Sequence, residues 1–298
     1  MSRTSISTDA AAPPRHRRWW RPLLIFVLGY SGIVIVFLLL ENMLLFHPTP
    51  AAAHWMPPPS ERIQDVEFQA DDGNRIHAWW YPVEEGRGAL LYCHGNAGNL
   101  SHRGPAIVQM GQELGVSVLI FDYPGFGRST GSPNEASCYA AGEAAFNWLT
   151  RTPSIPPEQI LLYGKSLGGG IAVELATRHP HRALILAKTF TSVPDIGQEV
   201  YPFLPIRWLA RNRFENLNKI PHCTRPVFIA HGDRDELIGK HHSERLFAAA
   251  NEPKHFVLMN GVDHNEPVNG VFFTELRQFL AAAAPLPLTD TAPTAAAD

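Results

Sequence analysis

The sequence predicts an α/β domain on a mostly parallel sheet with helices on both faces, preceded by one helix able to cross a membrane. Three observations carry that prediction. Short, continuously apolar runs such as "ALLYC" (89–93), "ILLYG" (160–164) and "ALILA" (183–187) alternate with segments of helical period, as strands covered on both faces do. A pair of alternating runs joined by a tight turn leads into them. Residues 22–40, "PLLIFVLGYSGIVIVFLLL", contain no charge at all.

In chain order, residues 1–21 are Ser, Thr, Ala and Arg without apolar period and are expected to form a disordered basic N-terminus. The apolar run that follows is close to the ~20 residues that span a bilayer core as a helix. Arg15, Arg17, Arg18 and Arg21 precede it and no Lys or Arg follows until Arg62, so the positive-inside rule leaves the N-terminus cytoplasmic and the rest on the far side, the periplasm in a bacterium. A cleaved signal peptide would have an apolar region of about 7–15 residues ending at small residues. Here the run is longer, "ENMLLFHPTP" follows it, and Ala51-Ala52-Ala53 lies more than ten residues further on. An uncleaved anchor over 22–45 is the reading adopted.

The globular domain is expected over 46–282. "RIQDVEFQA" and "RIHAWWYP" flank Asp71-Asp72-Gly73-Asn74 and read as an antiparallel hairpin. Then come strand "ALLYC", helix "PAIVQMGQEL", strand "VSVLIFD", helix "EASCYAAGEAAFNWL", strand "ILLYG", helix "GIAVELATRH" and strand "ALILA". An irregular stretch at about 189–224 is expected to form a short cap. Strand "PVFIAHG", helix "SERLFAAA", strand "HFVLM" and a helix through "VFFTELRQFL" complete about eight strands, the first pair antiparallel and the remainder parallel. Residues 283–298, Ala/Pro/Thr-rich, read as a disordered tail.

Composition narrows the function. A net charge of −3 without a basic stripe beyond the N-terminus argues against a nucleic-acid partner. The three cysteines, Cys93, Cys138 and Cys223, are too scattered for a disulfide framework or a zinc site and read as buried thiols.

Ligands of such open sheets bind beyond the carboxyl ends of the strands. "ILLYG" runs without a loop into "KSLGGG" and a helix. A phosphate-binding loop needs a glycine five residues before Gly164, where Gln159 stands. The alternative is Gly164-x-Ser166-x-Gly168, a sharp strand-to-helix turn in which small neighbours let a serine project as a nucleophile. "FDYPGFGRSTG" is no dinucleotide site either, since the third glycine position holds Thr130 and no helix begins there; it reads as a structural turn.

A serine hydroxyl needs a base, and the base an orienting acid, at later strand ends. "HGDRDELIG" offers Asp233, Asp235 and Glu236; "NGVDHNE" offers Asp263 and His264. Asp233, directly after its strand, reads as a turn-former bound to local backbone, so Asp235 is taken as the acid. His264 follows the last core strand in a Gly/Asp/Asn loop and is taken as the base, over His255 within that strand and His241-His242 opening a helix. The oxyanion donors are assigned to the backbone N–H of Leu167, after the nucleophile, and of Asn96, in "HGNAGNLS" after "ALLYC", where His94 reads as structural. The sequon Asn99-Leu100-Ser101 in this loop reads as accidental.

Together, "HGNAGN", "DYPGFGRSTG", "YGKSLGG", "HGDRDELIG" and "GVDHNE", in this order, resemble the α/β-hydrolase superfamily, above all its membrane-anchored branch of α/β-hydrolase-domain serine hydrolases. The resemblance covers about residues 46–280. It implies the α/β-hydrolase fold, Ser166, Asp235 and His264 as triad, and cofactor-free hydrolysis of esters, thioesters or amides, some relatives acting on lipids or acylated proteins. A monomer working on a small-molecule or acylated substrate, held to the membrane by its N-terminal helix, is the expected assembly. One departure stands out: Ala187-Lys188 occupies a place where an acidic-small pair is expected. Proline-releasing aminopeptidases share the fold, so a peptidase or amidase on the same triad is the alternative.

Overall fold

The computed structural model describes residues 20–84 and 86–286. The basic stretch up to residue 19 and the tail from 287 lie outside the described residues. The chain divides into two compact units, residues 1–40 and 41–298.

Helix α1 (Trp20–Leu45) is long and apolar enough to cross a membrane by length and composition. It is continuous through the end of the uncharged run, and its last residues, from Glu41 on, belong to the second unit.

That unit is built on one eight-stranded sheet. Its strands are β1 (Gln64–Gln69), β2 (Arg75–Tyr81), β3 (Ala89–Cys93), β4 (Ser117–Phe121), β5 (Ile160–Lys165), β6 (Ala183–Ala187), β7 (Val227–Gly232) and β8 (Lys254–Met259). They lie in the order β8-β7-β6-β5-β3-β4-β2-β1. β2 is antiparallel to both its neighbours, β1 and β4, and every other pair is parallel. β3, β4 and β6 are buried at every position, the property that made their sequences continuously apolar.

Alternate residues feed two cores. Leu91, Cys93, Leu162, Leu184 and Leu186 join Ala141, Ala145 and Leu149 of α3 (Glu135–Arg151) and Ile171 and Leu175 of α4 (Gly168–Arg178). Leu90, Tyr92, Tyr163 and Ile185 join Ile107 and Met110 of α2 (Gly104–Leu114) and Phe272, Phe273 and Leu276 of the C-terminal helix, Gly270–Ala283. Each fully buried Leu or Ile contributes about 1.5–3 kcal/mol. Helix starts follow the local chemistry: Asn134 and Ser137 cap α3 reciprocally, each side chain accepting the other's backbone N–H at 3.0 Å.

The cap segment is less irregular than expected. Ser192 accepts the Asp195 N–H and starts α5 (Val193–Val200), followed by single helical turns at Ile206–Leu209 and Asn216–Lys219. Pro194, Gly197 and Pro202 mask this helix in the sequence, although proline is well tolerated in a first turn. The remaining helices are α6 (His241–Ala249) and α7 (Gly270–Ala283). All three cysteines are buried and unpaired; burial pushes the Cys223 thiol up to about 12.

Candidate active site

β5 ends at Lys165 and α4 begins at Gly168, leaving Ser166 and Leu167 as the whole connection. Such a turn forces Ser166 to φ +53°, a left-handed conformation that costs a non-glycine residue about 1–3 kcal/mol. The backbone around it compensates: Ser166 N–H donates to Ala187 O at 3.0 Å, and Ser166 O accepts from Gly169 N–H at 2.9 Å and the Thr189 hydroxyl at 2.7 Å. The flanking glycines are steric necessities. A Cβ on Gly164 would sit 2.6 Å from Gly168 O and Gly169 Cα, and one on Gly168 would run into the Cys93 carbonyl.

The three residues singled out by strand-end position meet here. His264 Nε2 lies 3.0 Å from Ser166 Oγ, and His264 Nδ1 lies 2.7 Å from Asp235 Oδ2. All three are buried. The other Asp235 oxygen accepts the Ile238 and Leu237 N–H groups at 2.8 and 3.1 Å. Burial alone would raise the Asp235 carboxyl. The hydrogen bonds from His264 and the Ile238 amide, with the His264 and His231 charges nearby, outweigh it and hold the group below the ordinary carboxylate value. An ionised acceptor at Nδ1 keeps that nitrogen protonated and leaves the Nε2 lone pair for the serine proton.

The competing residues go elsewhere. Asp233 accepts the Gly261 N–H at 2.6 Å, a backbone bond as read from its position, and Glu236 and Asp263 are exposed. His255 pairs with Glu275 at 3.0 Å, and His241 and His242 face Glu199 at 3.0 and 3.3 Å. His94 is fully buried, 3.5 Å from Asp122 Oδ1. Asn99 is fully buried with its amide donating to Thr49 O and His54 O, both at 2.9 Å, so it is a structural brace and no glycan could reach it.

Two supports were not legible as such. His231 is buried in β7, bonded to Ser243 Oγ at 2.7 Å and Ile238 O at 2.8 Å, and so pins the turn that carries Asp235. Lys188, at the departure Ala187-Lys188, is fully buried with φ +53°. Its ammonium donates to the Asp263 carbonyl and, at 2.8 and 3.4 Å, to the carbonyls of Glu266 and His264. Burial lowers its pKa, with Asp235, Glu266 and Asp263 opposing. The only sequence signal was the charge in an otherwise apolar run. Lys165, beside the serine, is brought down to about 8 by burial and then by Lys188.

The loop holding Asn96 passes close to the serine, since a Cβ on Gly95 would lie 3.6 Å from Ser166 Cβ. Tyr123 OH donates to His94 O at 2.6 Å below it. The chain leaving α1 braces it from the other side: Asn96 O accepts the His47 N–H at 2.9 Å, and the Asn96 side-chain amide donates to Leu45 O at 2.8 Å. His47–Pro48 pairs with Ala97–Gly98 as a two-stranded parallel ladder. Among the described residues, the backbone N–H groups of Asn96 and Leu167 have no protein acceptor, so both can donate to a ligand.

In the cap, Leu204 and Ile206 are buried, whereas Phe203, Arg207 and Trp208 face outward. The large apolar residues of the segment are therefore divided between buried and exposed positions.

Comparison with known proteins bears on the family and the fold. A profile of the alpha/beta hydrolase fold matches residues 88–207. The uncharacterised protein Rv2307c of Mycobacterium tuberculosis is 36% identical over 271 residues, 88% of this chain and 95% of that one. Human alpha/beta hydrolase domain-containing protein 17B is 32% identical over 228 residues, 74% of this chain and 76% of that one. Among solved structures, an esterase of Pyrococcus furiosus, Pf2001, superimposes with a TM-score of 0.65 at 17% identity, covering 80% of this chain and 97% of that one. By sequence over about three quarters of its length, and by fold, the chain belongs to the α/β-hydrolase superfamily.

Proposed function

We propose that the protein is a membrane-anchored serine hydrolase that cleaves carboxylic ester or thioester bonds through an acyl-enzyme on Ser166. The observation that carries this reading is the unbroken chain from Ser166 Oγ through His264 to Asp235, at 3.0 and 2.7 Å. His264 takes the Ser166 proton as the hydroxyl attacks the carbonyl carbon, and Asp235 stabilises the imidazolium that results. The carbonyl oxygen, now an oxyanion, is received by the N–H groups of Leu167, at the start of α4, and of Asn96. His264 returns the proton to the leaving group, and water, activated by the same base, releases the acyl group.

The substrate we infer is a lipid-like or acylated molecule. The support is α1, apolar over a bilayer's thickness, together with a cap that buries Leu204 and Ile206. The enzyme is read as a monomer anchored through α1, with the N-terminus cytoplasmic and the catalytic domain outside.

The test is a panel of p-nitrophenyl and acyl-thioester substrates of increasing chain length beside aminoacyl and prolyl amides. Ester or thioester turnover that rises with chain length and is lost in Ser166→Ala agrees with the reading. Turnover confined to the amides would replace it with a peptidase on the same triad.

A further inference from the structure

Outside α1, Trp208 is the most exposed large apolar side chain among the described residues, at 87%. Phe203, at 65%, and Val200, at 56%, are exposed in the same short segment. A tryptophan this open in water is unusual, and three exposed large apolar side chains within nine residues of chain mark a candidate interaction surface. Arginines flank it: Arg207 and Arg211 are each more than half exposed and reach Asp195 and Glu41.

The position of this cluster along the chain identifies what it meets. Glu41 is the first charge after the apolar run of α1. Its buried carboxylate accepts the backbone N–H of Arg211 at 3.0 Å and of Asn212 at 2.7 Å, the Asn212 side-chain amide at 2.9 Å and Arg211 Nε at 3.1 Å. Asn212 also donates to Asn42 Oδ1 at 2.8 Å. The cap is thus tied to the first charged residue after the uncharged run, four residues before α1 ends. Trp208 precedes Arg211 by three residues and so lies within about 11 Å of it.

We propose that Val200, Phe203 and Trp208, with Arg207 beside them, form a surface that lies in the headgroup layer of the same phospholipid bilayer that α1 crosses. The proposal rests on the anchor reading above and adds a second contact with the membrane, made by the cap. The chemistry fits: an indole favours the interface, where its ring is apolar and its N–H stays wet, and arginine side chains extend to lipid phosphates. The consequence is that the cap faces lipid, so a substrate dissolved in the bilayer reaches the segment without crossing water.

The experiment uses the full chain in vesicles of phosphatidylcholine and phosphatidylglycerol, with lipids brominated either near the headgroup end of the acyl chain or near its terminus. The emission of Trp208 is taken as the difference between wild type and Trp208→Phe, and that of Trp20, at the start of α1, as the difference between wild type and Trp20→Phe. The surface predicts that shallow bromines quench most of the Trp208 emission and deep ones little. Quenching of Trp20 but not of Trp208 would overturn the cap surface and leave the anchor standing. Quenching of neither would overturn both.

Discussion

The turn around Ser166 and the cap at residues 193–219 lie in one domain but hold their side chains in opposite ways. At the turn the backbone decides everything: Ser166 sits at positive φ, the space beside it exists because Gly164 and Gly168 carry no Cβ, and three hydrogen bonds fix its peptide groups. The cap is held by a few charged tethers, Glu41 with Arg211 and Asn212, Glu135 with the N–H groups of Arg213 and Phe214, and Asp195 with Arg207 and Arg245. Trp208, its most exposed large apolar side chain, lies outside these tethers. Under the proposed function, the difference predicts that chemistry and substrate choice are separately encoded. Substitutions at the turn should abolish turnover of every substrate, whereas those in the cap should redistribute turnover among substrates.

The largest expected effect is Ser166→Ala, which should lower turnover of any ester by roughly 10³-fold or more while circular dichroism and melting stay near wild type. Gly168→Ala comes next. Its methyl must displace the Cys93 carbonyl, so a loss of about 1–3 kcal/mol in a denaturant titration should accompany loss of activity. Lys188→Met removes the ammonium that gathers the carbonyls around His264. A displaced base predicts a fall in kcat of roughly 10–100-fold with KM little changed, and Lys188→Arg should recover part of it. In the cap, Leu204→Ala and Ile206→Ala should leave acetate-ester turnover within about threefold and reduce long-chain turnover more. A uniform loss across chain lengths would break the contrast between the two regions.

The smallest effect is one of pH. Lys165 has its folded pKa at about 8, against an ordinary 10.5 in the unfolded chain. Between those values the unfolded state holds a proton that the native state has released, so this group makes stability rise as pH rises from about 8 to 10.5 and leaves it level at lower pH. Lys165→Met should flatten that slope in melting curves across the alkaline range.

What could be read from the sequence follows the same division. β3 and β6 were bounded correctly because burial on both faces leaves nothing but apolar residues between turn signals. The meeting of Ser166, Asp235 and His264 could be anticipated because each lies just beyond a strand end, where the topology brings loops to one edge of the sheet. The place of β2, antiparallel to both β1 and β4, was not legible, since pairing between distant strands has no local signature. Nor was the role of Lys188. Its charge could be seen, but its partners are backbone carbonyls some 75 residues later, and any sequence supplies those. The brace between Leu45, His47 and Asn96 escaped for the same reason.

The central claim is that Ser166 is a nucleophile activated by His264. A fluorophosphonate probe tests it most directly, because it forms a covalent adduct only with a serine whose proton is being removed. The full-length protein should be labelled at one site, mapped by mass spectrometry to the peptide containing Ser166, with labelling abolished in Ser166→Ala and slowed severely in His264→Ala. Labelling that persists in Ser166→Ala, or a wild-type protein that folds but takes up no probe, would contradict the account.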